Sequence, residues 1–240
     1  MSVSERRVRA IFRKELREYR RNGSIIATMA VIPLTFIILP LITVLRLPAS
    51  GSRALLAGHP LAILLGIPAI VPAVLAAYSV VGERQQGTLE PVLTTPIPRE
   101  EFLLGKALAA LLPSLAIAYA VYGFFLVCVA LFSQPSVASA VLQGPDVLAQ
   151  VVLTPLLAAW SIWLGIGISA RSSDTRVAQQ LGTLASLPAL VVTYLVALDV
   201  IQVTLGLAVA LTLALLILDG LGWRIVSPMF DRERLMTGTK

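Results

Sequence analysis

The chain has 240 residues, of which 57% are hydrophobic and 13% charged, with a formal net charge of +6. Ordinary soluble domains are about 45–50% apolar and about 25% charged, so this balance excludes a soluble globular domain and a disordered segment alike. The single Cys128 excludes a disulfide framework or a cysteine-based metal site, and the positive charge is read by position, as orientation and lipid contact rather than nucleic-acid binding.

In chain order, residues 1–22 form a basic helical segment ahead of the first apolar block. Val8, Ile11, Phe12, Leu16 and Tyr19 recur at helical spacing on one face, while most of the Arg and Lys residues lie elsewhere. Such a helix lies in the plane of a membrane surface with its cations near anionic headgroups. Glu15 falls inside the apolar stripe, where an acid is costly unless paired. It is expected to meet a basic partner on the 82–105 connection or on another subunit, or else to reach water at the helix edge. Asn22 and Gly23 break the helix. No cleavable signal peptide is expected, because the first apolar block is long and follows a charged stretch.

Six apolar stretches follow, at about 24–45, 61–81, 102–132, 147–170, 179–198 and 203–223, each near the roughly 20 residues that cross a bilayer as helix. The alternating ten-residue pattern of an outer-membrane barrel is not seen. The fold class is therefore an all-α integral membrane protein, with a six-span domain over 23–223 and a tail over 224–240. The third stretch exceeds one straight span, so its first turns, up to Lys106, are placed at the interface. Seventeen of the nineteen Lys and Arg residues fall on one side of this layout, which makes that side, and both termini, cytoplasmic. The 133–146 stretch is read as a polar, turn-like connection, and the span prolines (Pro33, Pro40, Pro72, Pro113, Pro155 and Pro188 among them) as tolerated kinks or as hinges.

The residues for catalysis are missing. The one histidine, His59, stands beside Pro60 in a connection, no HExxH or GxxxxGK[ST] pattern occurs, and no metal or cofactor is expected in this chain. An ion-coupled carrier would place ionisable groups inside the membrane. Only Asp219 in the sixth stretch qualifies, and it either pairs near Arg224 or marks a substrate path. Tyr78, Tyr119 and Trp160 are further path candidates, or else interfacial anchors.

The 82–105 connection holds the densest signals. Gly87 permits a turn, Thr88 suits an N-cap, and Pro98 suits the start of a new helix with Glu100 and Glu101 in its first turn. A short helix between two breaks, facing the cytoplasm, is a docking surface or an ordinary capped connection.

The run Glu83–Arg84–x–x–Gly87–Thr88–Leu89–Glu90–x–x–Leu93, followed by Arg99–x–Glu101 and Leu104–Gly105–Lys106, resembles the cytoplasmic loop of the type-2 ABC-transporter permease family, as does Lys14–Glu15–Leu16 before the first span. The resemblance implies the membrane subunit of an exporter that moves a hydrophobic or amphipathic substrate. Two permease copies, identical or related, would stand on separate ATPase subunits that bind ATP and Mg. Glu83, Arg84, Gly87, Thr88, Leu89, Glu90 and Leu93 would then be coupling positions, with Arg99 and Glu101 flanking, and Glu15, Phe12, Leu16 and Tyr19 would belong to an interface helix. Pro98 departs from the family's usual capping residue, and the short link at 200–202 argues against bulky polysaccharide cargo. An ion-coupled secondary carrier and a membrane enzyme or assembly factor are the competing readings.

Overall fold

The computed structural model describes residues 4–48, 60–85, 87, 97–201 and 204–230. Among them there is no strand, and six helical segments are long and apolar enough to cross a membrane: Gly23–Arg46, Leu61–Gln85, Arg99–Phe132, Gly144–Arg171, Thr175–Ala197 and Leu205–Phe230. Helix α1 (Glu5–Arg21) precedes α2 (Gly23–Arg46). The second span opens with a 3-10 turn, Pro60–Leu65, and continues as α3 (Gly66–Gln85). Then come α4 (Arg99–Phe132), the short α5 (Pro135–Val141) and α6 (Gly144–Arg171). The fifth span is split into α7 (Thr175–Ala185) and α8 (Leu187–Ala197), and α9 (Leu205–Val226) completes the bundle with a 3-10 turn at Ser227–Phe230.

Local chemistry sets the ends. Asn22 closes α1 and caps α2, its side-chain oxygen accepting from the amides of Ser24 and Ile25. Asp174 caps α7 and Thr204 caps α9 in the same way. Each cap satisfies amides that the first turn of a helix leaves unpaired.

Helix α3 is the axis of the fold. Nearly every residue from Gly66 to Glu83 is buried, and α6 packs along its length. The approach is close because Gly165 lacks a side chain: a Cβ there would lie 2.5 Å from the Ala73 carbonyl oxygen. Ser161 Oγ donates to the Ala69 carbonyl across the same contact. By contrast α2 and α9 present apolar residues outward, including Leu34, Ile38, Val209 and Ile217. Such large exposed apolar faces fit lipid-facing helices rather than a water-soluble surface.

Three features differ from the sequence expectation. The 133–146 stretch holds α5 rather than only turns. Pro135 starts it with a preset φ, and Val137, Ala140 and Val141 are buried on one side. The second span runs past Val81 to Gln85, since Glu83 is buried and ion-paired rather than solvated. The last helix runs past 223, and Phe230 packs on Phe102 with ring centroids 5.9 Å apart.

Candidate functional site

The charged end of the bundle is built where α1 crosses the start of α4. A Cβ on Gly105 would lie 2.7 Å from Ile11 Cγ2, so only glycine lets α1 sit this close. The buried residues of α1 are Val8, Ile11, Glu15 and Tyr19. Phe12 and Leu16, expected in the stripe, are half-buried at its edge, and Arg6, Arg9, Arg13 and Arg17 are exposed. The face that packs is thus centred on the acid, not on the large apolar residues.

Glu15 is 1% exposed and does not reach water. Its Oε1 lies 2.8 Å from the ammonium of Lys106, which is completely buried one residue beyond the 82–105 connection. Lys106 also lies 2.9 Å from Glu83 Oε2 and donates to the Ser79 carbonyl at 2.8 Å. Lys14 bonds Glu83 from the other side and stands 3.1 Å from Glu18 and 3.5 Å from Glu15. One residue of α1, one of α3 and one of α4 therefore meet in a buried Glu–Lys–Glu knot. Burial pushes the Glu15 carboxyl above the ordinary carboxylate value, and the nearby Glu83 adds to this, against the pull of Lys106. Burial opposes the charge on Lys14 too, but Glu15 and Glu83 outweigh it and leave that ammonium above its usual value. The buried Tyr19 hydroxyl, beside the same acids, is likewise held well up, first by burial and then by Glu15. Carboxylate oxygens of Glu15, Glu18 and Glu83 lie within 4.8 Å of one another. Two ammonium groups already stand among them, so the donor set fits an ion-pair knot rather than a metal.

The knot is braced on both sides. Ser169 Oγ of α6 accepts from the amides of Val80 and Val81, one turn before Glu83. Arg84 donates to the carbonyls of Ser172 and Ala170, which the end of α6 leaves unpaired. Glu101, 2% exposed, accepts from the Ser4 amide at 2.8 Å and from Arg7 Nη2 at 2.9 Å. Arg99 bonds Glu100 at the surface. Gly87 has φ +67°, a left-handed conformation that glycine adopts without strain, so the chain turns just after α3. Thr88, Leu89, Glu90 and Leu93 lie outside the described residues, as does His59.

Among the described residues, two cavities border the fifth span. One, of about 420 Å³, sits between α6, α8 and α9 and includes Trp160 in its wall. The other, of about 510 Å³, sits between α2, α3 and α7 and is lined in part by Thr28, Arg176, Gln179, Gln180 and Thr183. The break at Ser186–Pro188 stands between them. Pro188 cannot donate to the preceding turn, and Ser186 Oγ donates to the Gly182 carbonyl.

The other path candidates scatter. Tyr78 lies over Gly82 beside the knot. Tyr119 donates to the Val151 carbonyl and joins α4 to α6. Asp219 has a buried Oδ1 with no hydrogen-bond partner among the described residues, and no ion pair joins it to Arg224 there. Five residues apart, the two do not share a helix face.

Lys106, Lys14, Ser169 and the glutamines of α7 were not singled out as site residues from the sequence. Lys106 carried a signal, a lone cation inside an apolar run. Arg176, Gln179, Gln180 and Thr183 carried another, polar residues at spacings of three, four and seven on one face.

No curated protein matches the chain. A family model does, over residues 9–221, from the second turn of α1 to within five residues of the end of α9. That match covers most of the chain and includes the knot, the connection after α3, five whole spans and most of the sixth: the chain belongs to the ABC-2 family transporter proteins, as a multi-pass membrane component of an ABC transporter.

Proposed function

We propose that this chain is the permease subunit of an ATP-driven exporter, worked by separate ATPase subunits through the connection after α3. The observation that carries the reading is the buried Glu15–Lys106–Glu83 knot. It fixes the end of α3, the start of α4 and the amphipathic helix α1 to one another, where the 86–98 connection leaves and returns. A force on that connection reaches two spans without being absorbed by a soft joint, and packed interfaces answer such a force by switching between discrete arrangements. Glu83, Arg84, Gly87, Thr88, Leu89, Glu90 and Leu93 are assigned to coupling, with Arg99 and Glu101 setting the return into α4.

The positive-inside distribution supports placing this end, and both termini, in the cytoplasm of a cell whose inner membrane holds the protein. The exposed arginines of α1 suit anionic headgroups there. ATP and Mg belong to the partner ATPases, and a second permease copy, identical or related, completes the path. The α7 cavity, with its glutamines and Thr183, is the polar entry from the cytoplasmic side. The split fifth span between the two cavities is the element that moves. A hydrophobic or amphipathic cargo suits the apolar span interiors.

The test is co-expression and co-purification with the ABC ATPase subunits of the source organism, followed by ATP hydrolysis in nanodiscs. Wild type should stimulate hydrolysis, and Glu90→Ala and Gly87→Pro should each reduce the stimulation at least fivefold without loss of the complex. A chain that associates with no ATPase ends the reading.

A further inference from the structure

A buried polar side chain without a partner stands in the wall of the 420 Å³ cavity between α6, α8 and α9. Gln150 lies in the second turn of α6, at the end of that helix away from the knot. It is 4% exposed, lines the cavity, and its side chain makes no hydrogen bond among the described residues. Neither of its amide atoms is sealed off, so the amide meets the open space. Thr193 of α8, 6% exposed, lines the same cavity. Its hydroxyl donates to the Leu190 carbonyl, which leaves the oxygen able to accept. Asp146 borders this end too but already has an interaction of its own. The wall beyond is apolar, built by Leu65, Leu153, Leu157, Ala189, Leu211 and Leu215. On α9 the lining runs from Leu207 to Leu218, about 17 Å at 1.5 Å per residue. The volume lies in the range of small-molecule sites, about 300–1,000 Å³.

A primary amide in an apolar surround is costly when its donors and its acceptor both go unmatched. The fold does not require one here: a leucine at this position would complete the apolar wall beside Leu153. We infer that the cavity binds a neutral long-chain alcohol, with its hydroxyl against Gln150 and Thr193 and its tail along the apolar wall. A hydroxyl group both donates and accepts, so it takes an N–H of Gln150 while giving its own hydrogen to the Gln150 carbonyl or to Thr193 Oγ. An ammonium has no acceptor for the amide N–H, and a carboxylate has no donor for the two oxygens. Either would also carry a charge into an apolar wall. An alkane fills the length but leaves the amide as it was. The site needs no ATPase in order to fill.

The test uses the full chain in nanodiscs of a zwitterionic phospholipid and tail-brominated dodecanol, with dodecane and dodecylamine brominated in the same way as counterparts. Bromine quenches tryptophan on contact, and Trp160 is in the wall. The alcohol should quench saturably, at least fivefold more tightly than the alkane or the amine, and Trp160→Phe should remove the saturable component. Gln150→Leu should weaken alcohol binding at least fivefold, to the level of the alkane, and should raise the melting temperature of the empty chain by removing the unmatched amide. Opposite effects on binding and on stability are the signature of a side chain kept for a ligand. Ala189→Phe and Ala208→Phe, each placing a ring in the cavity from a different helix, should weaken binding at least tenfold, with circular dichroism and gel filtration checking that each variant folds. Quenching that rises only in proportion to probe in the bilayer, equally in wild type and both ring variants, overturns the proposal. So does equal affinity of wild type for alcohol and alkane, since any lipid tail would then serve. A melting temperature lowered by Gln150→Leu overturns it as well, by showing that the amide already has a partner. Alcohol binding by a chain that stimulates no ATPase leaves this site standing and removes the transport reading. Stimulation without alcohol binding does the reverse.

Discussion

Lys106 serves two buried carboxylates, and that unequal count gives the residues of the knot unequal roles. Replacing Lys106 by Met removes the fully buried cation of the knot and leaves the half-buried Lys14 to face both Glu15 and Glu83. Breaking a buried ion pair from one side costs about 3–5 kcal/mol, so Lys106→Met should lower stability by about that amount. Glu15→Gln leaves Glu83 on Lys106 and should cost only about 1–2 kcal/mol, as a weakened hydrogen bond. Thermal unfolding of both variants in nanodiscs checks the ordering, and a Glu15→Gln loss equal to that of Lys106→Met would refute it. The pH dependence has a definite sign. The Glu15 carboxyl is raised above its ordinary value in the folded chain, so its contribution to stability is full below the ordinary carboxylate range and is lost as pH rises through the raised value. The melting temperature of wild type minus that of Glu15→Gln should therefore fall as pH rises from about 4, the ordinary carboxylate value, into the range above it. A difference that grows with pH would show that Lys106 and Lys14, not burial, govern this acid.

At the scale of elements, what the sequence made legible depended on what sets each feature. Span lengths follow from local hydropathy and caps, so the six stretches sit close to the six helices. The stripe on α1 was visible in its period, and the misfit of Glu15 within it pointed to a buried partner. The partner itself was not legible. Lys106 is 91 residues away, and only the crossing of α1 over Gly105 brings them together. For the same reason Ser169, whose role is to grip the α3 amides, looked like any small polar residue near a span end. The 133–146 stretch misled because its small residues suit turns locally, while the burial of Val137 and Val141 that makes them a helix is tertiary. Two element-scale outcomes follow. Gly105→Val must push α1 off α4, at about 1–3 kcal/mol, and should raise hydrogen exchange across residues 8–19 while leaving α6 protected. Unchanged exchange in α1 would show that the crossing is not close. Pro188→Ala restores a donor at the break between α7 and α8. If the break is the moving joint, transport with the ATPase present should fall severalfold while the melting temperature holds or rises. Full transport would make the break a passive feature of the fifth span.

Across the whole molecule, the polar tertiary contacts are concentrated at one end. The charged end is knotted by ion pairs and by side chains that enter the α3 backbone. The middle is held by the close contact of α3 with α6. Beyond it, α9 packs on α6, and a cavity lies on each side of the α7–α8 break. A charged end held by buried ion pairs is the part on which the proposed coupling would act. The direct test is site-directed crosslinking at the connection, with Glu90→Cys in a Cys128→Ala background and a co-expressed ABC ATPase subunit from the same organism. The account expects a crosslink from position 90 to the ATPase in intact cells, with a yield that changes when ATP is depleted, and no labelling of position 90 by a membrane-impermeant thiol reagent added outside. External labelling of position 90 without any ATPase adduct would contradict it.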